Sequence, residues 1–163
     1  MGTTVRVFET DVWVPSPIGK VFEFFADAAN LNEITPPWLN FRITTPMPVE
    51  MKVGALIDYR LRLRGVPISW RTRISEWNPP FRFADEQLKG PYTRWYHVHT
   101  FEELDGGTVC RDRVEYAHPG GSIVHSLLVR PDLERIFAYR QQRFLELFGA
   151  GTAGAGSRSL AMS

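Results

Sequence analysis

His97 and His99 stand one residue apart in a run, Tyr92 to Leu104, whose polarity alternates as a β-strand's does. Alternation puts Trp95, His97, His99 and Phe101 on one side and Arg94, Tyr96, Val98 and Thr100 on the other. The bulkier aromatic side is expected to face inward. After the turn Asp105-Gly106-Gly107, Cys110, Asp112, Val114 and Tyr116 share a side opposite Arg111, Arg113 and Glu115, whose charges belong in water. A hairpin across this turn sets His99 opposite or diagonal to Asp112, within reach of an imidazole to carboxylate hydrogen bond, and brings Tyr116 towards His97.

Three kinds of chemistry fit such a cluster. In the first, aspartate simply orients histidine among aromatic rings, because buried polar groups find partners. In the second, the polar groups orient a ligand in a mostly apolar pocket. In the third, a histidine paired with aspartate removes a proton beside a carbonyl while a second histidine or Tyr116 stabilises the oxyanion; His97, His99, Asp112 and Tyr116 are then the catalytic candidates. Two histidines and a carboxylate also suit zinc, but the sequence reveals no outer group to orient them, and neither metal nor cofactor is expected.

Two flanking segments bear on the same site. If the face of Phe81 and Phe83 continues, Asp85 and Gln87 point inward and Glu86 to solvent. Arg140 lies among apolar positions of the last helical run, where it either meets Asp85 or Asp112 or snorkels to the rim.

The elements that must hold these residues follow from periodicity. Val5 to Val14 reads as a first strand ended by Pro15 and Pro17. Ser16-Pro17-Ile18 places a hydroxyl at an N-cap and proline at the first helical position, with Val21, Phe22, Phe24 and Phe25 following on a helical face. Asp27 to Asn32 caps a second short helix through Glu33, and Thr35-Pro36-Pro37 ends it. From Phe41 to about residue 117 the period is two. Ile57, Tyr59, Leu61 and Leu63 alternate with Asp58, Arg60, Arg62 and Arg64, and Ile68, Trp70, Thr72 and Ile74 alternate with Ser69, Arg71, Arg73 and Ser75. The turns at Gly65-Val66-Pro67, Asn78-Pro79-Pro80, Lys89-Gly90-Pro91 and Asp105-Gly106-Gly107 are too short for parallel crossovers, so the strands form an antiparallel meander. Helix returns after Pro119-Gly120-Gly121. Leu133, Ile136, Phe137, Arg140, Phe144, Leu147 and Phe148 recur at three and four, Pro131 starts or kinks this helix, and Gly149 follows it as a cap. This helix alone is long enough to cover the apolar inner face of the sheet.

Composition narrows the partners. The chain has 163 residues, with nineteen basic against eighteen acidic ones, so no global field draws in nucleic acid. Arg60, Arg62, Arg64, Arg71 and Arg73 form an outer basic stripe without interleaved exposed aromatics, which reads as a solvated face. Cys110 is the sole cysteine, excludes an internal disulfide and reads as a small core residue. No signal-like segment or long apolar run appears, so membrane insertion is not expected and a cytoplasmic location is. Phosphate-loop and nucleophile-elbow motifs are missing as well.

The stretch Phe83-Ala84-Asp85-Glu86-Gln87-Leu88-Lys89-Gly90-Pro91-Tyr92, followed by Trp95, His97, His99 and Phe101, resembles a bacterial branch of the START/SRPBCC superfamily. Asp112, Val114 and Tyr116, and the helical segment Leu133 to Arg140, resemble the same branch. The resemblance covers about residues 4 to 149. It implies an α+β helix-grip fold, a curved antiparallel sheet of about six to seven strands wrapped around a long C-terminal helix. Members of the superfamily bind lipids, sterols, polyketides and other apolar ligands, a minority are enzymes, and no catalytic residue is universal among them. Residues 1–149 are accordingly expected to form one ligand-binding domain and residues 150–163 a flexible Gly/Ala/Ser-rich tail.

The expected function is binding or transport of a small apolar or aromatic molecule, by a monomer or weak homodimer. Tyr59, Leu61, Trp70, Trp95 and Phe101 would floor the pocket and Ile136, Phe137, Arg140 and Phe144 cover it. Asp85, Gln87, His97, His99, Asp112 and Tyr116 would give it polarity. The rivals are a cyclase/dehydratase-type enzyme using the same pocket and an interaction module without a ligand.

Overall fold

A computed structural model describes residues 3–149. The tail expected at residues 150–163 lies outside the described residues. Seven strands form one antiparallel sheet: β1 (Arg6–Val14), β2 (Arg42–Ile43), β3 (Leu56–Leu63), β4 (Val66–Asn78), β5 (Arg82–Lys89), β6 (Arg94–Leu104) and β7 (Gly107–Ala117). The spatial order β1-β7-β6-β5-β4-β3-β2 is the expected meander, with β1 closing the edge beside β7. Helix α1 (Ile18–Ala26) and two 3₁₀ segments (Ala28–Ile34 and Pro37–Leu39) link β1 to β2. After β7 the chain runs through α2 (Gly121–Val124), a π-helical turn (His125–Val129) and the twenty-residue helix α3 (Arg130–Gly149), which fills the concave side.

Strand alternation decides which residues are inside. On β6 and β7, His97, His99, Phe101, Cys110, Asp112, Val114 and Tyr116 are all buried on the concave side. Burial pushes the Cys110 thiol up to about 12, as expected of a core cysteine. On the convex side charge is neutralised pair by pair, Arg71 with Asp58 at 2.7 Å and Arg94 with Glu115 at 2.6 Å, while Arg64 in the β3–β4 turn reaches Asp132 of α3 at 3.0 Å. Arg73 pairs with Glu86. Much of the basic stripe is therefore a lattice of exposed ion pairs, each worth little to stability.

The concave side carries two aromatic clusters. One packs Phe22, Phe25, Phe83, Phe101 and Phe144 with Val12 and Val14 at the closed end; the other gathers Tyr59, Trp70, Tyr92 and Trp95 around Leu39 and Leu61. Helix α1 contributes Val21, Phe22 and Phe25 to the first.

Several local expectations are corrected. Ser16 does not cap α1. Pro17 occupies the N-cap, and the Ser16 hydroxyl donates instead to the carbonyl of Phe148 at 3.0 Å, tying the start of α1 to the end of α3. The first reverse turn is Arg64-Gly65, with Val66 and Pro67 already in β4, because both turn residues have positive φ, 50° and 80°, as a tight two-residue hairpin requires. Of the two roles expected of Pro131 it does not start the helical region, which begins at Gly121; the proline, lacking an N–H, lies in the first turn of α3 just after the π-helical turn. Gly149 is the last helical residue, not a cap beyond it.

Gly107 opens β7 where the backbone comes closest to β1. A Cβ there would strike the carbonyl oxygen of Val14 and lie 2.7 Å from the Trp13 ring, whose indole N–H donates to Leu104 O at 2.8 Å. Neither neighbour is a flexible side-chain end. Gly107→Ala is expected to destabilise the fold by about 1–3 kcal/mol, as overpacking does. Urea unfolding should show a lower midpoint at unchanged slope; an unchanged midpoint would mean the edge of the sheet yields freely.

Candidate functional site

Between the two aromatic clusters lies a polar one, and the sheet register creates it. Asp85 on β5 is paired with His97 on β6, and His99 is paired with Asp112 on β7. The hydrogen bonds, however, run diagonally. His97 Nε2 meets Asp112 Oδ1 at 2.8 Å, and His99 Nε2 meets Asp85 Oδ2 at 2.7 Å. An ionised carboxylate can only accept, so each of these nitrogens carries a proton and donates it. The long imidazoles reach past the residue opposite to the carboxylate beyond it. The bond expected between His99 and Asp112 is not made: His99 Nδ1 stands 3.3 Å from Asp112 Oδ1 but has no proton to donate to it.

Arg140 comes down from α3 to complete the group. It donates from Nε to Asp112 Oδ2 and from Nη2 to Asp112 Oδ1, both at 3.2 Å, and Nη2 also reaches His99 Nδ1 at 3.1 Å. Of its two expected positions Arg140 takes the buried one, on Asp112, and does not snorkel. Because guanidinium only donates, His99 Nδ1 accepts, which fixes its proton on Nε2. The two rings stack at 3.7 Å between centroids, and His99 also stacks on Phe83 at 3.9 Å.

Charge in this group is settled by burial against pairing. Burial works to raise the Asp112 carboxyl, but the charge of Arg140 and the bond from His97 hold it well below the usual carboxylate range. Asp85 is lowered too, since the bond from His99 and the pull of the neighbouring imidazoles and of the Arg140 charge outweigh its burial. Burial, then the neighbouring His99, depresses His97. Both carboxylates are therefore ionised and His97 is uncharged.

The polar group borders an internal cavity of about 180 Å³. Of the residues expected at a ligand site, Tyr59, Leu61, Trp70, Asp85, Trp95, His97, His99, Ile136, Phe137 and Arg140 line it. Five others do not. Gln87 turns back on its own hairpin, exchanging hydrogen bonds of 2.7 and 3.1 Å with the Tyr92 backbone. Phe101 and Phe144 are packed into the closed end, and Asp112 stands behind the imidazoles, holding them with Arg140. Tyr116 shares the concave face but lies further along it, packing with Leu133 and Phe137 and stacking on His118 and His125, because its strand position is opposite Trp95 and two residues beyond His97's partner Val114.

Other wall residues escape a periodicity reading. Tyr92 precedes β6 in the turn, where alternation does not apply, and Ile34, Leu39, Phe41 and Met51 come from short segments without a repeating pattern. Phe25 and Phe83 were legible as apolar but not as cavity-lining. One ligating atom from each of Asp85, His97 and His99 falls within 4.8 Å of the others, the one arrangement among the described residues able to hold a metal ion.

The sequence profile described as polyketide cyclase/dehydrase and lipid transport matches residues 14–145. The chain belongs to this family. Solved structures agree on the fold. The ZhuI aromatase/cyclase from Streptomyces sp. R1128 is similar over 94% of this chain and 99% of its own, with TM-score 0.70 and 20% identity. Protein Ms6760 from Mycobacterium smegmatis is similar over 92% and 99%, with TM-score 0.66 and 16% identity. A nucleoside-diphosphate sugar epimerase from Corynebacterium glutamicum is similar over 85% of this chain but only 28% of its own, with TM-score 0.63 and 23% identity. No curated protein matches the chain in sequence. Family membership and the aromatic clusters together support a capacity to bind a small molecule. No helix among the described residues is long and apolar enough to cross a membrane.

Proposed function

We propose that the protein binds a small, mainly aromatic molecule of one or two rings that carries a polar substituent. The observation behind this is a cavity with two chemically distinct ends. Tyr59, Leu61, Trp70, Tyr92 and Trp95 supply an apolar wall, while Asp85, His97, His99 and Arg140 meet the same space from one side. Flat rings stack on or edge against aromatic walls, and the polar substituent is oriented by the few hydrogen-bonding groups. A buried cavity of about 150 Å³ already takes up benzene, so the space of about 180 Å³ here sets the scale at one or two rings rather than a long-chain lipid.

Within that site, Trp70 is fixed by its indole N–H, which donates to Thr72 Oγ1 at 3.1 Å, and by the edge of Trp95, 5.4 Å away at 90°. A preformed wall spares a ligand the cost of ordering it. Titrating the protein with hydroxylated naphthalenes should quench tryptophan fluorescence with a dissociation constant near 1 µM, about −8 kcal/mol. The midpoint of thermal unfolding should rise with ligand concentration. Absence of both effects across a panel of mono- and bicyclic aromatics would rule the proposal out.

A further inference from the structure

We propose that Asp85, His97 and His99 form a binding site for one divalent first-row transition metal ion, with its open coordination positions facing the cavity. The geometry points to this through how the four imidazole nitrogens are divided. His97 Nε2 and His99 Nδ1 both approach Asp112 Oδ1, at 2.8 and 3.3 Å. The other two, His97 Nδ1 and His99 Nε2, both approach Asp85 Oδ2, at 3.9 and 2.7 Å. One carboxylate thus stands behind both rings and the other in front of them. That is the division a metal centre needs, in which the remote ring nitrogen donates to a carboxylate while the near one offers its lone pair to the ion.

One tautomer change converts the present network into that centre. His97 already carries its proton on Nε2, donated to Asp112, and its Nδ1 receives no hydrogen bond among the described residues. His99 would move its proton to Nδ1 and donate it to Asp112 Oδ1, releasing Nε2 to the metal. Arg140 stays on Asp112 through its two bonds and keeps that carboxylate ionised behind the rings.

Charge favours the same conclusion. Besides the two imidazoles, Asp85 and Asp112 face the single guanidinium of Arg140, so two carboxylates are set against one cation and leave one negative charge in excess beside an apolar cavity. A divalent ion reverses that excess, and an anionic oxygen on the cavity side would then balance it. Two imidazoles with one carboxylate and vacant positions suit zinc(II), iron(II) or cobalt(II) rather than the all-oxygen shells of calcium or magnesium. Asp85 retains 16% side-chain exposure, which leaves its oxygens reachable from the cavity.

The site rests on the cavity being open to solutes, as the proposed ligand binding does, and two separate readouts keep the claims apart. Chelator-treated protein should take up one cobalt(II) per chain, producing visible ligand-field bands that zinc(II) abolishes. Asp85→Asn keeps an acceptor for His99 yet should weaken cobalt binding by more than about 100-fold, beyond what loss of an outer-shell partner gives. His97→Gln provides a second test should Asp85→Asn fail to fold by circular dichroism. His118 and His125 form another histidine pair, 3.3 Å apart at the β7–α2 junction, so His125→Ala should leave uptake unchanged. No stoichiometric uptake by the wild type, uptake that survives Asp85→Asn or His97→Gln, or uptake lost in His125→Ala would each overturn the site. Naphthol binding without cobalt uptake leaves the ligand reading standing and removes the metal; cobalt uptake without naphthol binding does the reverse.

Discussion

Replacing Arg140 by methionine should destabilise the protein by about 3–5 kcal/mol, the range seen when one partner of a buried ion pair is removed. Methionine fills much of the space of the arginine stem, so the loss falls on electrostatics rather than on packing. What remains is Asp112, 5% exposed, with only the imidazole N–H of His97 to satisfy it. Against a total stability of about 5–15 kcal/mol for an ordinary domain, that loss brings the variant close to unfolding. Arg140→Lys should recover only part of it, because an ammonium cannot span both oxygens of Asp112 and reach His99 as the guanidinium does.

The dependence on pH separates this cause from a generic packing defect. In the wild type Asp112 lies well below its ordinary value of 3.8, so it contributes stability above that value and the contribution is lost as pH falls through the folded pKa. In Arg140→Met the guanidinium is gone while burial remains, which pushes the carboxyl upward instead. The variant then gains relative stability as pH falls and Asp112 takes up a proton. Urea unfolding of both proteins across the acid range should therefore show their difference shrinking towards low pH. A difference that stays constant would place the loss in packing and remove Asp112 from the explanation.

How much of this centre was legible depends on which force fixes each residue. Alternation along β6 and β7 is dictated by burial, so His97, His99 and Asp112 were assignable to the concave face, and the 3.6 period put Arg140 on the apolar face of α3 without choosing between a buried partner and the rim. Side-chain pairing is not dictated by alternation. Choosing Asp85 over Asp112 for His99 requires the register of β5 on β6, which alternation within either strand does not specify. Tyr116 shows the opposite failure. Its face was correct, yet two residues further along the twisted strand it serves a different cluster, with His118, His125 and Leu133. Gln87 sits at a strand end where the turn to Tyr92 captures its amide, so parity ceased to govern it. The sequence thus specified surfaces, and the partners within a surface emerged only from register.

Filling the cavity should abolish binding while leaving the fold nearly intact, and the same kind of change at the closed end should do the reverse. Leu61 lies on β3 facing Trp70 and Leu39, and it borders the void of about 180 Å³. In Leu61→Trp the added indole has space to enter, so the expected stability change is within about 1 kcal/mol rather than the 1–3 kcal/mol of overpacking. Affinity for a hydroxylated naphthalene should fall by at least about 100-fold, about 2.7 kcal/mol, because probe and side chain compete for one volume. Val14 is fully buried in the cluster of Phe22, Phe25, Phe101 and Phe144 and is not among the residues lining that cavity. Val14→Phe has nowhere to put its ring, and should lower stability by about 1–3 kcal/mol while the folded fraction still binds the naphthalene. Paired urea unfolding and fluorescence titration read both quantities on both variants. If Leu61→Trp proved as disruptive as Val14→Phe, the concave side would be packed throughout, and the polar group of Asp85, His97, His99 and Arg140 would be a buried structural network with no solute to orient.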